Sequence, residues 1–193
     1  LYIDGDDTVI DGGDGIDRVF VLSSDNTTID LAASNVEYAK GNAGADVFDA
    51  SGVTANVSLY GQGGNDTLTT SSGADRLYGN DGNDILSAGA GNDRLYAGQG
   101  DDTLSGGDGT DIFYFYEETG NNTITDYKAF EKLIFTGSNF NSDDLSVTQN
   151  GNDAVLTFNN VEDFELTVEN VDATDFDAAQ GSSNLTIDFN TVV

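Results

Sequence analysis

A nine-residue repeat constrains the fold of this chain more than any other feature of its sequence. Residues 61–114 divide without a gap into six units: GQGGNDTLT, TSSGADRLY, GNDGNDILS, AGAGNDRLY, AGQGDDTLS and GGDGTDIFY. In every unit the fourth residue is Gly, the sixth is Asp and the eighth is large and apolar. Composition alone does not produce three fixed positions in six tandem units, and so short a period indicates a solenoid of stacked units.

Each unit has the composition of a loop followed by a short strand. Six Gly-rich residues can adopt positive φ angles and curl the backbone, and three residues such as RLY then form a strand with one side chain inward and two outward. A second period, twice as long, appears at the last position of the unit, where Tyr alternates with Thr or Ser. The tyrosines are Tyr60, Tyr78, Tyr96 and Tyr114. We therefore predict an all-β parallel roll with two nonamer repeats per coil, two sheets and loops along two edges.

The predicted tyrosine ladder on one outer face has two interpretations. Rings stacked on one another would protect an exposed sheet. Alternatively, the ladder and the nearby Arg76 and Arg94 would form a platform for sugar or protein contacts. The sequence leaves both interpretations open.

The charge of the chain requires a counter-ion. The sequence has 35 acidic and 6 basic residues, a net charge of −29, and no Cys or His. Stacking at strand spacing would bring the loop carboxylates of one edge within about 4.8 Å of one another, where they repel. Ca²⁺ binds six to eight oxygen ligands, both carboxylates and carbonyls, whereas sites for zinc need Cys or His. We expect several calcium ions, about five to seven.

The repeat resembles the RTX, or haemolysin-type calcium-binding, repeat family. The resemblance covers residues 61–114 strongly and residues 5–60 in patches, including GGDGIDRVF at 12–20 and GNAGADVFD at 41–49. It implies a right-handed parallel β-roll with an ion between consecutive loops of one edge. One loop would give the carbonyls of its second and fourth residues and its Asp. The next would give the carbonyls of its first and third residues and its Asp.

The resemblance assigns ligands to five ions. On one edge the sets are Asn42, Gly44 and Asp46 with Gly61, Gly63 and Asp66; Gln62, Gly64 and Asp66 with Gly79, Asp81 and Asp84; and Asn80, Gly82 and Asp84 with Ala97, Gln99 and Asp102. On the other edge they are Ser71, Gly73 and Asp75 with Ala88, Ala90 and Asp93; and Gly89, Gly91 and Asp93 with Gly106, Asp108 and Asp111. Asp7, Asp17 and Asp25 are further candidate ligands, in a region where the register is irregular.

The repeat divides the chain into three predicted parts. Residues 1–60 contain degenerate repeats, residues 61–114 the regular roll, and residues 115–193 a β-rich segment without repeats that would cap the open end. Within this cap, 145–149 and 154–158 are predicted to form a hairpin with a type I′ turn at Asn150–Gly151. The segment GNNTITDYKAFEKLIF resembles the flank that follows the last repeat in many RTX proteins and implies export by type I secretion, and the terminal 191–193 is loosely similar to the apolar tails of that family.

The sequence favours a non-enzymatic, extracellular role. We see no catalytic constellation, since the acidic pairs Glu117–Glu118 and Asp143–Asp144 are neighbours in sequence and do not flank a substrate bond. The negative field disfavours nucleic acid, and no apolar run is long enough to span a membrane. The chain begins at Leu1 and contains no Met, so we expect a piece of a longer protein.

Three hypotheses for function remain open. The first is a calcium-dependent folding module, the terminal part of a secreted or surface bacterial protein. The second is an adhesin or surface-layer lattice module, in which the roll self-associates or contacts cell-surface glycan or protein. The third is the accessory tail of a secreted hydrolase whose catalytic domain lies upstream.

Overall fold

The computed structural model describes residues 2–3, 15–32, 36–116, 120–176 and 186–190. Its strands are, in chain order, β1 Tyr2–Ile3, β2 Arg18–Val21, β3 Thr28–Asp30, β4 Tyr38–Lys40, β5 Val47–Asp49, β6 Ser58–Gly63, β7 Thr67–Thr69, β8 Arg76–Asp81, β9 Ile85–Ser87, β10 Ala90–Gly91, β11 Arg94–Gln99, β12 Thr103–Ser105, β13 Asp108–Gly109, β14 Ile112–Tyr116, β15 Asn121–Ile124, β16 Lys132–Thr136, β17 Leu145–Asn150, β18 Asp153–Phe158, β19 Glu165–Val168 and β20 Thr186–Asn190. Two short 3₁₀ helices span Ser142–Asp144 and Ala173–Phe176. No helix in the described part of the chain is long and apolar enough to cross a membrane.

The strands form two large sheets that confirm the predicted parallel β-roll. Sheet A has the order β1-β2-β4-β6-β8-β11-β14-β16-β20, and sheet B has the order β17-β18-β19-β15-β12-β9-β7-β5-β3. The chain alternates between the sheets, so that two repeats complete one coil. Arg76 pairs in register with Arg94 and Arg94 with Ile112, which confirms the doubled period. The flanking coils are longer than two nonamers, since Ser58 pairs with Tyr38 and Ile112 with Lys132.

The core is a column of apolar side chains between the two sheets. Each three-residue strand segment turns its middle side chain inward, as the alternation of a strand requires. Sheet A contributes Leu59, Leu77, Leu95 and Phe113, and sheet B contributes Phe48, Leu68, Leu86 and Leu104, all at most 1% exposed. A single unit could not bury such a side chain, so the stacking of coils creates the core.

The fourth residue of the repeat must be Gly because the loops of one edge approach closely. Gly82 has a φ of +132°, and a Cβ on it would overlap the carbonyl oxygen of Gly64 one coil away. Both the backbone conformation and the absent side chain are therefore required.

The parallel ladders continue beyond the last regular repeat. β16 pairs in parallel with β14 and β20, while β15 and β19 extend sheet B in parallel. Among the described strands, only β17, β18 and β19 pair antiparallel, at the end of sheet B. A cluster of phenylalanines lies beneath them, in which the rings of Phe135 and Phe158 are 5.0 Å apart and those of Phe140 and Phe158 are 4.8 Å apart. This segment therefore both extends the roll and covers its end with aromatic side chains.

The hairpin in this segment is present, but the predicted turn is wrong by one residue. Asn150 pairs with Asp153, so the two-residue turn is Gly151–Asn152. Gly151 has a φ of +65°, whereas Asn152 is not among the described residues with positive φ. A type I′ turn needs positive φ at both central residues. The turn is therefore not of the predicted type I′. Gly151 occupies its first central position, which is the one with positive φ.

We expect Leu86→Ala to lower the free energy of unfolding by about 2–5 kcal/mol, because it opens a cavity in the column. Leu86 is 1% exposed, whereas the adjacent Ile85 points outward and is 52% exposed. Ile85→Ala is therefore the matched control and should cost less than about 1 kcal/mol. Equal losses for the two variants in urea unfolding of the folded roll would contradict the inward register of Leu86.

Candidate metal-binding edges

The sixth residue of each repeat lies at the start of a strand, where the loop turns into the sheet. We call edge 1 the side that contains Asp46, Asp66, Asp84 and Asp102, and edge 2 the side that contains Asp75, Asp93 and Asp111. None of these seven side chains is more than 1% exposed. Seven carboxylates therefore lie inside a chain that already carries a net charge of −29.

One oxygen of each carboxylate is held by the neighbouring coil. The Oδ1 atom of Asp84 accepts a hydrogen bond from the backbone N–H of Asp66, and Oδ1 of Asp102 accepts one from Asp84. The same bond recurs along both edges at 2.7–2.8 Å. The other donor–acceptor pairs are Thr27–Asp46, Asp46–Asp66, Val57–Asp75, Asp75–Asp93 and Asp93–Asp111. This inner ladder fixes the carboxylates at one coil spacing.

The other oxygen lacks a hydrogen-bond partner in six of these residues. The Oδ2 atoms are buried and make no hydrogen bond to any described residue in Asp66, Asp75, Asp84, Asp93, Asp102 and Asp111. A buried oxygen of an ionised carboxylate is costly when it has no donor or cation beside it. The repetition of this feature along both edges indicates that a cation is needed to complete the site.

A carbonyl oxygen of the next loop lies beside several of these atoms. The space next to the Cα of Gly61 is bounded by Asp66 Oδ2 and by the carbonyl oxygen of Gly79. At Gly79 the same space lies between Asp84 Oδ2 and the carbonyl of Ala97. A Cβ at either glycine would overlap these oxygens. Carboxylate and carbonyl oxygens from consecutive loops thus face a common point, which suits a hard cation such as Ca²⁺.

Within the described residues, no three acidic side chains converge on one point. A metal ion on either edge would therefore depend on backbone carbonyls for most of its ligands. Some of the carbonyls assigned as ligands also accept hydrogen bonds between loops, including Asn42 from Gly63 at 2.9 Å and Gln99 from Gly82 at 2.8 Å. The carbonyls of Ser71, Gly89 and Ala90 do the same. A carbonyl has two lone pairs, so such a bond leaves one for a cation.

Burial raises the pKa of these carboxyl groups. It raises the pKa of Asp66 and Asp102 to about 7 and that of Asp84 and Asp93 to about 6, although the backbone N–H on Oδ1 acts in the opposite direction. The pKa values of Asp46, Asp75 and Asp111 are raised for the same reason. Near neutral pH, protons and metal cations therefore compete for the carboxylates of the edges.

A second ladder, which the sequence analysis missed, lies at the fifth position of the repeat. Here the side-chain oxygen accepts from the backbone N–H of the following coil, so the direction is opposite to that of the inner ladder. The bonds run from Asn83 to Asn65, from Asp101 to Asn83 and from Asn121 to Asp101 on edge 1, at 2.7–3.0 Å. They run from Ala74 to Asn56 and from Thr110 to Asn92 on edge 2. The frequent Asn or Asp at position five was the available signal.

Three further residues occupy the sixth position where the regular phase is lost. Glu37 is 8% exposed and accepts from the N–H of Asp17. Asn122 accepts from the N–H of Asp102 at 3.0 Å and thereby ends the inner ladder of edge 1. Glu131 is fully buried beyond Asp111 on edge 2, and burial raises its pKa to about 8. Sequence spacing missed all three because the flanking coils are longer than two nonamers.

Edge 2 also has its own cation at its C-terminal end. The ammonium group of Lys128 contacts the carbonyl of Gly107 and lies 3.0 Å from Asp108 Oδ1. Asp126 accepts from the N–H groups of Gly106 and Gly107. This end of the edge is therefore held by side chains of the following loop.

The remaining predicted site residues differ in their placement. Asp17 has a buried Oδ2 without a hydrogen-bond partner among the described residues, at the sixth position of its coil on edge 2. Asp25 is exposed, and its carbonyl accepts from the side chain of Asn42. Asp7, Glu117, Glu118 and residues 191–193 lie outside the described part of the chain. Val57 takes the sixth position in the irregular coil and contributes only its N–H, to Asp75.

A comparison with protein-family models identifies the repeat. The RTX calcium-binding nonapeptide repeat matches residues 60–95 and 87–115, in four copies. Residues 60–115 are RTX repeats. Such repeats bind calcium, which agrees with the all-oxygen environment of the two edges. No curated protein matches the chain.

Several solved structures are similar to the chain, among them a lipase and an epimerase subunit. The extracellular lipase LipA from Serratia marcescens is 15% identical over 96% of this chain and 42% of its own, with a TM-score of 0.41. A subunit of the Azotobacter vinelandii mannuronan C5-epimerase is 24% identical over 72% of this chain and 92% of its own, with a TM-score of 0.36. The chain thus spans less than half of the lipase.

Substitution of Asp84 by Asn should change calcium affinity and calcium-free stability in opposite directions. The amide keeps an acceptor for the N–H of Asp66 but removes a buried charge. We expect calcium affinity to fall at least about tenfold, while the β-signal in EDTA at neutral pH increases. Asp81→Asn is the control, because the Asp81 side chain is exposed and the residue is proposed to bind calcium through its backbone carbonyl oxygen. Calcium affinity is measured by titration monitored with circular dichroism. Equal affinities for the two variants would contradict the role of the Asp84 carboxylate.

The calcium-free chain should become more stable as the pH falls. Because the folded pKa values of Asp66 and Asp102 are raised to about 7, the protonated carboxyls favour the fold, and this contribution is lost as the pH rises through about 7. In EDTA we expect the β-signal to increase between about pH 8 and pH 5. The increase should persist at high salt, which screens surface charges more than buried ones. A β-signal that is flat over this range would refute the effect.

Proposed function

We propose that this chain is a calcium-dependent folding module of a secreted or surface bacterial protein. The observation that carries the proposal is a set of six buried carboxylates. In each of them one oxygen accepts a backbone N–H and the other makes no hydrogen bond to the described residues. Ionised, these groups oppose folding when no cation is present. Calcium bound between consecutive loops would supply the missing charge, so that binding and folding become one equilibrium.

The five ligand sets assigned from the resemblance are the proposed sites. In each set one inner-ladder aspartate comes from each loop, so Asp66, Asp84 and Asp93 are shared by two ions. Calcium at one site would fix the shared carboxylate for the next, which favours cooperative filling along each edge. About five to seven ions would add about +10 to +14, roughly half of the net charge of −29.

This coupling provides a mechanism for export. Where calcium is scarce, repulsion among the acidic side chains keeps the chain extended, which suits passage through a type I secretion channel. Where calcium is abundant, outside the cell, the loops bind it and the roll forms. Localisation in the extracellular space and the position of the module at the end of a larger protein belong to the same proposal.

Circular dichroism and small-angle scattering with and without EDTA test the proposal. We expect an extended chain in EDTA, and a compact β-rich chain after millimolar calcium is added, with a cooperative transition. Magnesium at the same concentration is the control and should not replace calcium, because it retains its water ligands and demands a stricter geometry. A chain that keeps its β-signal and melting temperature in EDTA at neutral pH would refute the proposal.

A further inference from the structure

The few cationic residues of this acidic chain are concentrated on one face. The sequence contains only six Lys and Arg residues, and five of them lie on strands of sheet A, at positions whose neighbours point into the core. They are Arg18, Lys40, Arg76, Arg94 and Lys132. The inward neighbours are Val19, Ala39, Leu77, Leu95 and Leu133, all fully buried. The outer face of sheet A thus carries five positive charges.

The strand register sorts this face into two rows along the roll. Row 1 contains Arg18, Tyr38, Ser58, Arg76, Arg94, Ile112 and Lys132. Row 2 contains Phe20, Lys40, Tyr60, Tyr78, Tyr96, Tyr114 and Ile134. From β2 to β16 neither row contains an acidic residue, and the first acidic residue in register is Asp188 of β20.

The outer face of sheet B has the opposite character. Its corresponding rows contain mainly Thr and Ser, with Asp30 and Asp49 in register with each other. No Lys or Arg lies on strands β3, β5, β7, β9 or β12. Both sheets have outward positions that could carry Lys or Arg. Among the described strands of the two outer faces, the positive charges lie on sheet A alone.

The tyrosine rings of row 2 are stacked face to face. The ring centroids of Tyr60 and Tyr78 are 4.3 Å apart with an angle of 4° between the planes, and Tyr78–Tyr96 and Tyr96–Tyr114 have the same spacing. Tyr38 belongs to row 1, but the centroid of its ring lies 5.2 Å from that of Tyr60. Rings at this spacing cover one another, so the face presents ring edges and a line of hydroxyl groups. Burial raises the pKa of the Tyr60 hydroxyl to about 12, and the charge of Arg76 acts in the opposite direction.

These features fit a linear anionic polymer with polar groups at regular intervals. A row of guanidinium and ammonium groups can bind carboxylates by charge-assisted hydrogen bonds, and the adjacent phenol groups can hydrogen-bond to hydroxyls or carboxylates. The rows repeat at the strand spacing of about 4.8 Å, so successive units of a polymer meet successive coils.

Other occupants fit the face less well. Single-stranded nucleic acid binds by stacking its bases on open aromatic faces, and these rings cover one another. A second copy of the chain would bring another net charge of −29, and an anionic membrane would also meet the acidic edges. A single polysaccharide chain can touch the cationic rows alone.

We propose that the outer face of sheet A binds an acidic polysaccharide, with Arg76 and Arg94 pairing with sugar carboxylates and the tyrosine hydroxyls of row 2 bonding to the sugar. The polymer lies along the roll, across the strands. Binding requires the folded roll, and therefore rests on the proposed calcium-dependent folding. It uses neither edge, so calcium and polysaccharide occupy separate sites.

Calorimetric titration with short oligogalacturonates in millimolar calcium tests this proposal. Circular dichroism of the same samples shows whether the roll is folded, so a failure of folding is distinguished from a failure of binding. We expect binding that weakens with salt, and no binding of the same oligomers after methyl esterification of their carboxyls. Arg76→Gln combined with Arg94→Gln should weaken binding about tenfold.

The matched control places the same change in net charge on the opposite face. Thr67→Glu combined with Thr103→Glu makes the chain more negative by the same amount at outward positions of sheet B and should leave affinity within about twofold. Tyr78→Phe combined with Tyr96→Phe keeps the ring stack but should also weaken binding. The proposal is overturned if a folded roll ignores the acidic oligomer, binds the esterified one equally, prefers single-stranded DNA, or responds equally to the two charge variants.

Discussion

The burial of one carboxylate per repeat is the constraint on which the rest of the structure depends. Each of these groups lies where a loop turns into a strand, and its Oδ1 atom holds the N–H of the preceding coil. The other oxygen has no such partner within the described residues of six repeats. The same atoms that set the spacing of the coils therefore create an electrostatic cost that a cation can remove. In the proposed mechanism, the stability of the roll therefore depends on metal binding.

The two sheets depend on these edges. Strands with one inward residue, such as Leu77 or Leu86, bury little by themselves, and the core exists only when successive coils are held in register. The inner ladder at position six and the second ladder, at position five, run in opposite directions along each edge, and together they fix that register. At the ends, Asn122 and Glu131 replace Asp, and the phenylalanine cluster covers the column. The roll is thus closed by side chains that do not follow the repeat.

The edges of the roll and the outer face of sheet A carry charges of opposite sign. The aspartates at the sixth position are buried at the edges, where calcium would neutralise them, while five of the six cationic residues lie on one sheet face. This separation matters because exposed opposite charges on one surface would neutralise each other and leave no field for a ligand. With the edges neutralised, the negative field of the protein around the cationic residues of rows 1 and 2 would be weaker. Calcium would then support both folding and polysaccharide binding, although calcium and polysaccharide occupy separate sites.

The sequence by itself determined the repeat, the inward Leu, the glycine and the aspartate of each loop, because each unit repeats one local conformation and so appears as a regular period. The stacked tyrosines followed from the doubled period. The roles of Glu37, Asn122 and Glu131 could not be read in this way, because their coils are longer than two nonamers and the phase is lost. Nor could the cationic face. Arg18 and Lys132 do not share the 18-residue spacing of Arg76 and Arg94, and Lys40, which does share it, lies in the other row because the intervening coil is longer. Only the register of strands from distant parts of the chain brings them together, and that register is decided by the stacking of whole coils.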